Sequence, residues 1–267
     1  FEKEYPERFY DVAIAEQQSV TFAAGLSLEG LKPVVAIYST FLQRGYDQFI
    51  HDVCLENIDV TFAIDRAGIV GEDGPTHTGS FDISFMRCIP NIVISCPSNE
   101  HELWHLLNIC YEHKGPAAIR YPRGSGIGVQ PIPNEVEGFE IGKAKKIKDG
   151  QSVCILNFGV LMDQIDQIAE KKDYTLYDMR FIKPIDQDAL EHAMQHETII
   201  TLEDNTLLGG CGSAIGEKLH KQKFKGNLLS IGLKDEFPAH GSRNEILRQN
   251  GLDEESIQRT IDNFLRN

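Results

Sequence analysis

Short runs of β-branched and other apolar residues alternate along this chain with longer stretches of helical periodicity. The apolar runs cover residues 34–38, 60–65 and 92–95, and helical patterns cover 15–28, 46–55 and 99–111. This alternation is typical of βαβ units, in which helices cover a mainly parallel sheet. The first part of the chain is therefore predicted to form a doubly wound α/β domain.

A stretch rich in glycine, proline and lysine interrupts this pattern between residues 123 and 150. Such a composition is typical of a linker, with at most a small edge hairpin. Apolar runs then return at 153–158, 175–178, 198–202 and 228–231, with a helical pattern at 186–196. We therefore expect a second, smaller doubly wound α/β domain, and we place the two domains at 1–140 and 141–267.

The charge balance excludes several classes of partner. Asp and Glu number 40 against 26 Lys and Arg, which gives a net charge of −14, so the surface repels nucleic acids and anionic membranes. We see no leader and no apolar run near the ~20 residues that cross a bilayer. The six cysteines form no Cys-x-x-Cys pair, which favours reduced thiols, no disulfides and a cytoplasmic location. Because the sequence opens on Phe1, we expect part of a longer protein.

Polar and aromatic side chains form clusters where the predicted strands end, which is where α/β sheets bind ligands. The first cluster has Glu16 at the start of an apolar helix, and the second, residues 38–44, holds Tyr38, Phe41 and an arginine. Neither is specific alone. Glu16 also suits an ordinary first-turn glutamate favoured by the helix dipole, and Phe41 also suits a core residue.

Two further clusters offer polar chemistry. Residues 65–79 hold four glycines, three acids, Arg66 and His77. Glycines let the backbone approach a ligand, and a histidine near a carboxylate suits acid–base chemistry. Residues 120–124 carry two arginines, which suit a phosphate or a carboxylate. A solvated loop and surface ion pairs remain the simpler explanations.

Taken together, these stretches resemble one enzyme family. Residues 11–25, 32–44, 65–82 and 120–124 are similar in sequence and order to the signature segments of the 1-deoxy-D-xylulose-5-phosphate synthases, which are transketolase-like thiamine-diphosphate enzymes. Residues 156–159, 178–184 and 209–212 resemble the C-terminal domain of that family. The resemblance implies a transketolase-like pyrimidine-binding domain followed by a transketolase C-terminal-like domain.

The resemblance also implies roles for individual residues. Glu16 would bind the pyrimidine ring of thiamine diphosphate and act in catalysis, and Phe41 would stack on that ring. The phosphate of glyceraldehyde 3-phosphate would be held by three residues, Tyr38, Arg66 and Arg123. Asp73 and His77 would lie near the reacting centre, where they orient substrate and relay protons.

The reaction implied is a transfer that joins two substrates. Pyruvate loses carbon dioxide and condenses with glyceraldehyde 3-phosphate to give 1-deoxy-D-xylulose 5-phosphate, which feeds isoprenoid, thiamine and pyridoxal synthesis. Members of this family are usually homodimers, so the resemblance also implies a homodimer.

Two departures from the family pattern concern the cofactor. The sequence lacks a Gly-Asp-Gly followed at ~25–30 residues by Asn, the oxygen-rich motif for Mg²⁺ and diphosphate. We therefore expect the Mg²⁺ ligands in an N-terminal part of the same enzyme, and we expect this chain to be inactive without that part. The second departure is Gln18, which stands where the family often has His and is expected to change only local hydrogen bonding.

The sequence is also compatible with two other functions. His101, Glu102 and His105 form a His-Glu-x-x-His pattern, as in zinc peptidases. The positions of the extended motif hold Asn108 and Tyr111, so a solvated helix face is the simpler explanation.

The other alternative is a regulatory or assembly subunit that has lost the diphosphate site and only binds partners. It is disfavoured because the sequence keeps five candidate site residues that such a subunit would not need. They are Glu16, Phe41, Arg66, His77 and Arg123.

Overall fold

The computed structural model describes residues 1–132 and 138–266, and these residues form two five-stranded sheets flanked by helices. The predicted α/β class is confirmed. The first sheet has the order β1-β2-β4-β3-β8. Its strands are β1 (Val34–Tyr38), β2 (Thr61–Asp65), β3 (Val93–Ser95), β4 (Ala117–Arg120) and β8 (Phe181–Lys183). All of its pairs are parallel except the edge pair of β8 with β3.

The second sheet has the order β10-β9-β6-β7-β5. Its strands are β5 (Lys145–Lys148), β6 (Val153–Phe158), β7 (Thr175–Asp178), β9 (Thr198–Thr206) and β10 (Asn227–Leu233). Strand β5 is the antiparallel edge strand, and it lies within the stretch predicted as a linker. Residues 133–137 of that linker, with Pro133, Glu135 and Glu137, lie outside the described residues. The boundary between residues 140 and 141 stays a prediction.

Helices cover these sheets. They are α1 (Glu16–Leu28), α2 (Ser39–Leu42), α3 (Tyr46–Gln48), α4 (Asp82–Met86), α5 (Glu100–Glu112), α6 (Met162–Lys172), α7 (Gln187–Ala193), α8 (Cys211–Lys221), α9 (Arg243–Gln249) and α10 (Glu254–Arg266). Short 3₁₀ turns cover Pro6–Arg8, Gln43–Gly45, Gly71–Asp73 and Pro75–His77. Helix α5 begins after Asn99, whose side chain accepts a hydrogen bond from the Glu102 N–H at 3.0 Å, as its capping preference predicts.

The segment predicted as an α-helix at 46–55 is helical, but most of it does not have the α-helical pitch. Only Tyr46–Gln48 is α-helical, and Phe49–Cys54 forms a wider π-helical turn. Phe49, Val53 and Cys54 of this turn are all buried, so packing in the core outweighs the regular α-helical pitch here.

Strand β8 was not predicted, and it changes how the two sheets meet. It comes from the second half of the chain and pairs with β3 of the first sheet. One continuous core cluster contains Ile94 and Cys96 from the first half of the chain and Leu156 and Met179 from the second. The two predicted domains therefore share part of their core.

Buried charged groups also join the two halves. Arg120 donates from Nε to Asp82 at 2.9 Å and from Nη1 to Asp204 at 2.6 Å, and all three side chains are at most 3% exposed. Arg180 donates to Glu102 at 2.8 Å. A buried charge that loses its partner is strongly destabilising, so each of these ion pairs depends on both of its members.

Asp178 lies in the same buried region. Its carboxyl accepts hydrogen bonds from the Ser98 hydroxyl at 2.6 Å and from the Arg180 N–H at 3.3 Å. Burial, helped by the nearby negative charge of Glu102, raises the pKa of Asp178 to about 7. Burial likewise raises the pKa of Glu203 to about 7, although two backbone N–H groups donate to it.

These raised pKa values predict a dependence of stability on pH. A carboxyl with a higher pKa in the folded state binds its proton more tightly when folded, so stability is lost as pH rises towards 7. Between about pH 5 and about pH 8, we expect Asp178 to lower the free energy of unfolding of the wild type by about 2 kcal/mol. This decrease should be absent in Asp178→Asn. The amide can accept from Arg180 and donate to Ser98. Urea unfolding at both pH values measures this, with the exposed Asp235→Asn as control; equal pH slopes for wild type and Asp178→Asn would contradict it.

Candidate active site

The carboxyl ends of three adjacent strands start the candidate site. Tyr38 pairs with Asp65 in the register of β1 and β2, and Ile64 pairs with Arg120 in the register of β2 and β4. The segments that follow these strands, 39–44, 66–79 and 121–124, therefore begin side by side. This is the edge at which α/β sheets bind ligands.

The loop at 66–79 is closed at its base and anchored in the second half of the chain. Gly68 and Gly79 exchange two backbone hydrogen bonds of 2.8 and 2.9 Å. Ile69 packs into the core of the second sheet. Gly68 has a φ of +71°, and a Cβ there would overlap the Asp204 carboxylate. Only glycine suits this close approach.

Two arginines meet on one carboxylate. Arg66 Nε lies 3.2 Å and Arg123 Nε lies 2.9 Å from the same oxygen, Asp73 Oδ2. Arg66 Nη1 also lies 2.5 Å from Asp65 Oδ2. The backbone of Arg66 has a φ of +58°, a left-handed conformation that strains residues other than glycine and is common at functional sites. Asp73 thus holds the two guanidinium groups side by side.

Aromatic rings continue from these arginines. The Arg66 guanidinium carbon lies 3.8 Å from the centroid of the Tyr38 ring, which suits a cation–π contact. Tyr38 stacks on Phe41 with ring centroids 5.7 Å apart, and His77 contacts Phe41 edge-on at 5.3 Å. His77 Nδ1 lies 2.9 Å from the Thr76 hydroxyl oxygen. These contacts orient the imidazole against the aromatic surface.

Glu16 joins this network through Arg44. It is the first residue of α1, its side chain is 11% exposed, and its Oε1 lies 3.7 Å from Arg44 Nη1. The Arg44 guanidinium carbon lies 5.7 Å from the centroid of the Phe41 ring. Arg44 was not among the predicted site residues, although it is the arginine that ends the cluster at 38–44.

The structure therefore brings the predicted residues into one network of contacts. That network consists of Glu16, Tyr38, Phe41, Arg66, Asp73, His77 and Arg123, with Arg44 as the link to Glu16. The individual roles of these residues stay predictions.

The His-Glu-x-x-His pattern lies outside this network. The prediction that its helix face is solvated is wrong. His101, Glu102 and His105 are 8%, 2% and 3% exposed. His105 Nε2 lies 3.0 Å from the Ile132 carbonyl oxygen, and the Glu102 carboxylate pairs with Arg180. The face is buried because this ion pair and the ring of Phe139 cover it. A glutamate held in a buried ion pair does not suit the general base of a zinc peptidase.

Three further features concern metal binding, membrane-spanning helices and cysteine pairing. Within 1–132 and 138–266, no group of three or more His, Cys, Asp or Glu side chains is arranged to hold a metal ion. No helix in the same ranges has the length and apolar character needed to cross a membrane. All six cysteines are free thiols, and only Cys88 is exposed.

The sequence matches two known domain families, which agree with the fold and with the position of the site. Residues 1–127 match the transketolase pyrimidine binding domain, and residues 142–257 match the transketolase C-terminal domain. The chain belongs to the transketolase family. Glu16 and Phe41 lie in the first of these matches.

Within the transketolase family, the chain is similar to proteins named 1-deoxy-D-xylulose-5-phosphate synthase. The one from Idiomarina loihiensis is 52% identical over all 267 residues, which cover 100% of this chain and 43% of that protein. The one from Hahella chejuensis is 54% identical over 267 residues, again 100% of this chain and 41% of that protein. The chain thus spans less than half the length of these relatives.

Solved structures of other members share the fold. One such structure is described as a split gene transketolase, inactive beta4 tetramer. It has a TM-score of 0.87 and is 26% identical, and the aligned region covers 98% of this chain and 85% of the other. The transketolase of Campylobacter jejuni has a TM-score of 0.72 at 19% identity over 92% of this chain and 38% of that one, and shows the fold alone.

Proposed function

We propose that this chain supplies the pyrimidine-binding and C-terminal part of a 1-deoxy-D-xylulose-5-phosphate synthase. The whole enzyme would be a transferase that decarboxylates pyruvate and condenses it with glyceraldehyde 3-phosphate to give 1-deoxy-D-xylulose 5-phosphate. The observation that carries the proposal is the pair of arginines on Asp73, beside the Tyr38 and Phe41 rings. Relatives of that name that are more than half identical to the chain support it.

The arginine pair suits the phosphate of glyceraldehyde 3-phosphate. Asp73 accepts a hydrogen bond from Arg66 Nε and forms an ion pair with Arg123 Nε. A guanidinium offers further N–H donors in a fixed fork. A phosphate dianion bound by both forks and by the Tyr38 hydroxyl would have one orientation. We propose that Asp73 acts by holding the two guanidinium groups side by side, in the orientation that binds the phosphate.

Glu16, Phe41 and Arg44 suit the pyrimidine half of thiamine diphosphate. The Arg44 contact of Glu16, at 3.7 Å, is an ion pair rather than a hydrogen bond, so the carboxylate can share a proton with a ring nitrogen. Phe41 would cover the ring. When bound, thiamine diphosphate supplies the electron sink for decarboxylation. We propose that Mg²⁺ and the diphosphate are held by the N-terminal part, because this sequence lacks the Gly-Asp-Gly and Asn motif.

His77 is proposed to hold and move a proton next to the substrate. Its Nδ1 is engaged by the Thr76 hydroxyl, and its ring is set against Phe41. This contact occupies Nδ1 and leaves Nε2 for the substrate.

The proposed partner is the N-terminal part of the same enzyme. The split gene transketolase with a similar fold is described as an inactive tetramer, and we propose that this chain is likewise inactive alone. We also propose a homodimer, a cytoplasmic location with reduced thiols, and a product that feeds isoprenoid, thiamine and pyridoxal synthesis.

The test is an assay of the chain with and without the N-terminal part, in the presence of pyruvate, glyceraldehyde 3-phosphate, Mg²⁺ and thiamine diphosphate. We expect product only in the combined sample. Arg123→Met is expected to raise the KM for glyceraldehyde 3-phosphate about thirtyfold and to leave the KM for pyruvate near wild type, because a charge-assisted phosphate contact is lost. The exposed Arg248→Met serves as control.

No product from parts that demonstrably associate would overturn the proposal and favour a regulatory or assembly subunit. An equal rise of both KM values in Arg123→Met would contradict the phosphate role alone.

A further inference from the structure

We propose that Glu100 is a positioning residue that holds the glycine loop, defined as residues 124–129, and thereby sets the place of Arg123. The inference rests on the proposed function for its kinetic consequence, but its structural basis is separate from it. Glu100 lies at the first position of α5, and it touches none of the predicted catalytic residues.

Glu100 contacts the loop through its carboxylate. The Gly128 N–H donates to Glu100 Oε1 at 2.7 Å. Desolvation opposes ionisation of this carboxyl, but the backbone N–H groups of Glu100 itself, Gly128, Val129 and Ile127 outweigh it and keep its pKa below the usual value. The ionised carboxylate therefore accepts a charge-assisted hydrogen bond from the loop backbone at Gly128.

The close approach of the loop to this carboxylate depends on a missing side chain. A Cβ on Gly126 would overlap the Glu100 carboxylate. The loop backbone therefore passes close to the carboxylate, and a side chain at position 126 would push the carboxylate away from the Gly128 amide.

Among the described residues, the loop buries none of its own side chains. Residues 124–130 are all exposed, including Ile127 at 58% and Val129 at 38%. Residues 124–127 also border a cavity of about 510 Å³, with Asp163, Gln164 and Arg243 among its other lining residues. A segment without buried side chains opens at low cost unless polar contacts hold it. The Glu100 carboxylate supplies those contacts.

Arg123 immediately precedes this loop. Its Nε lies 2.9 Å from Asp73 Oδ2, and its side chain is 36% exposed. Its backbone position depends on Pro122 on one side and on the loop on the other. If the loop is released, Arg123 keeps its charge but loses its fixed place beside Arg66. A phosphate-binding group that must be ordered when the substrate binds gives a lower affinity for that substrate.

The first test uses the chain alone and needs no activity. Hydrogen exchange of the Gly128 amide is expected to accelerate about tenfold or more in Glu100→Ala, and less in Glu100→Gln, which keeps one acceptor oxygen. Gly126→Ala should also accelerate exchange, because the methyl group displaces the carboxylate. Glu112→Gln at the other end of α5 and Gly25→Ala, where a Cβ meets nothing within 4 Å, are the matched controls.

The second test measures the consequence for phosphate binding. In the enzyme combined with its N-terminal part, Glu100→Ala should raise the KM for glyceraldehyde 3-phosphate roughly tenfold, with kcat and the KM for pyruvate near wild type and with Glu100→Gln in between. In the chain alone, inorganic phosphate should shift the Nε–H resonance of Arg123 less in Glu100→Ala than in wild type.

The outcomes separate the two proposals. Unchanged amide exchange in Glu100→Ala would overturn the contact as the element that holds the loop. Faster exchange with an unchanged KM and an unchanged phosphate titration would overturn the effect on Arg123. Absence of product from the wild-type assembly would refute the proposed function, while the exchange and phosphate measurements would still decide the role of Glu100.

Discussion

Replacement of Glu16 by glutamine is expected to lower kcat of the combined enzyme by about a thousandfold. The amide cannot share a proton with the pyrimidine nitrogen as a carboxyl group can, although it has nearly the same shape. The loss should appear in kcat rather than in stability, because the ion pair with Arg44 spans 3.7 Å and Arg44 is 55% exposed. Steady-state assays and thermal unfolding of the same samples measure both quantities.

Glu29→Gln is the matched control, since Glu29 is an exposed glutamate at the other end of α1. It should leave kcat within about twofold of wild type. If Glu16→Gln retained more than about a tenth of the activity, Glu16 would not be the pyrimidine carboxylate.

Replacement of Arg120 by methionine is expected to destabilise the protein by about 3–5 kcal/mol. The change leaves Asp82 and Asp204 buried without their shared cation, at 0% and 3% side-chain exposure. Burial already raises the pKa of Asp82, an effect that Arg120 opposes. Urea unfolding at neutral pH measures the difference, with the exposed Arg248→Met as control.

A second variant separates lost charge balance from lost packing. Adding Asp204→Asn to Arg120→Met removes one of the unpaired charges, so it should recover part of the lost stability. A single variant as stable as wild type would show that Arg120 does not join the two halves of the chain in the way the contacts indicate.

The position of this arginine also bears on the site. Asp204 contacts Arg120 and lies where a Cβ on Gly68 would be, at the base of the loop that carries Asp73 and His77. The Thr206 N–H donates to the Ser80 carbonyl at 2.8 Å at the other end of that loop. The C-terminal half of the chain therefore supports the loop directly, beyond packing against the first sheet.

The candidate residues were predicted because their segments resemble those of a known enzyme family, and most of these segments follow a strand. The resemblance did not predict how they contact each other. Asp73 was expected near the reacting centre, and the structure shows it between Arg66 and Arg123. Arg44 was visible in its cluster, but its pairing with Glu16 joins residues of two different helical segments.

The sequence by itself determined the α/β class, most of the strands and several of the helices, among them those at 15–28, 99–111 and 186–196. These features follow from hydrophobic period and capping, which are local and can be read over a few residues. Only the tertiary structure decided that β8 joins the first sheet, that the His101 to His105 face is buried, and that the Gly128 N–H donates to Glu100. Each depends on contacts between residues far apart in sequence, about which a local pattern carries no information.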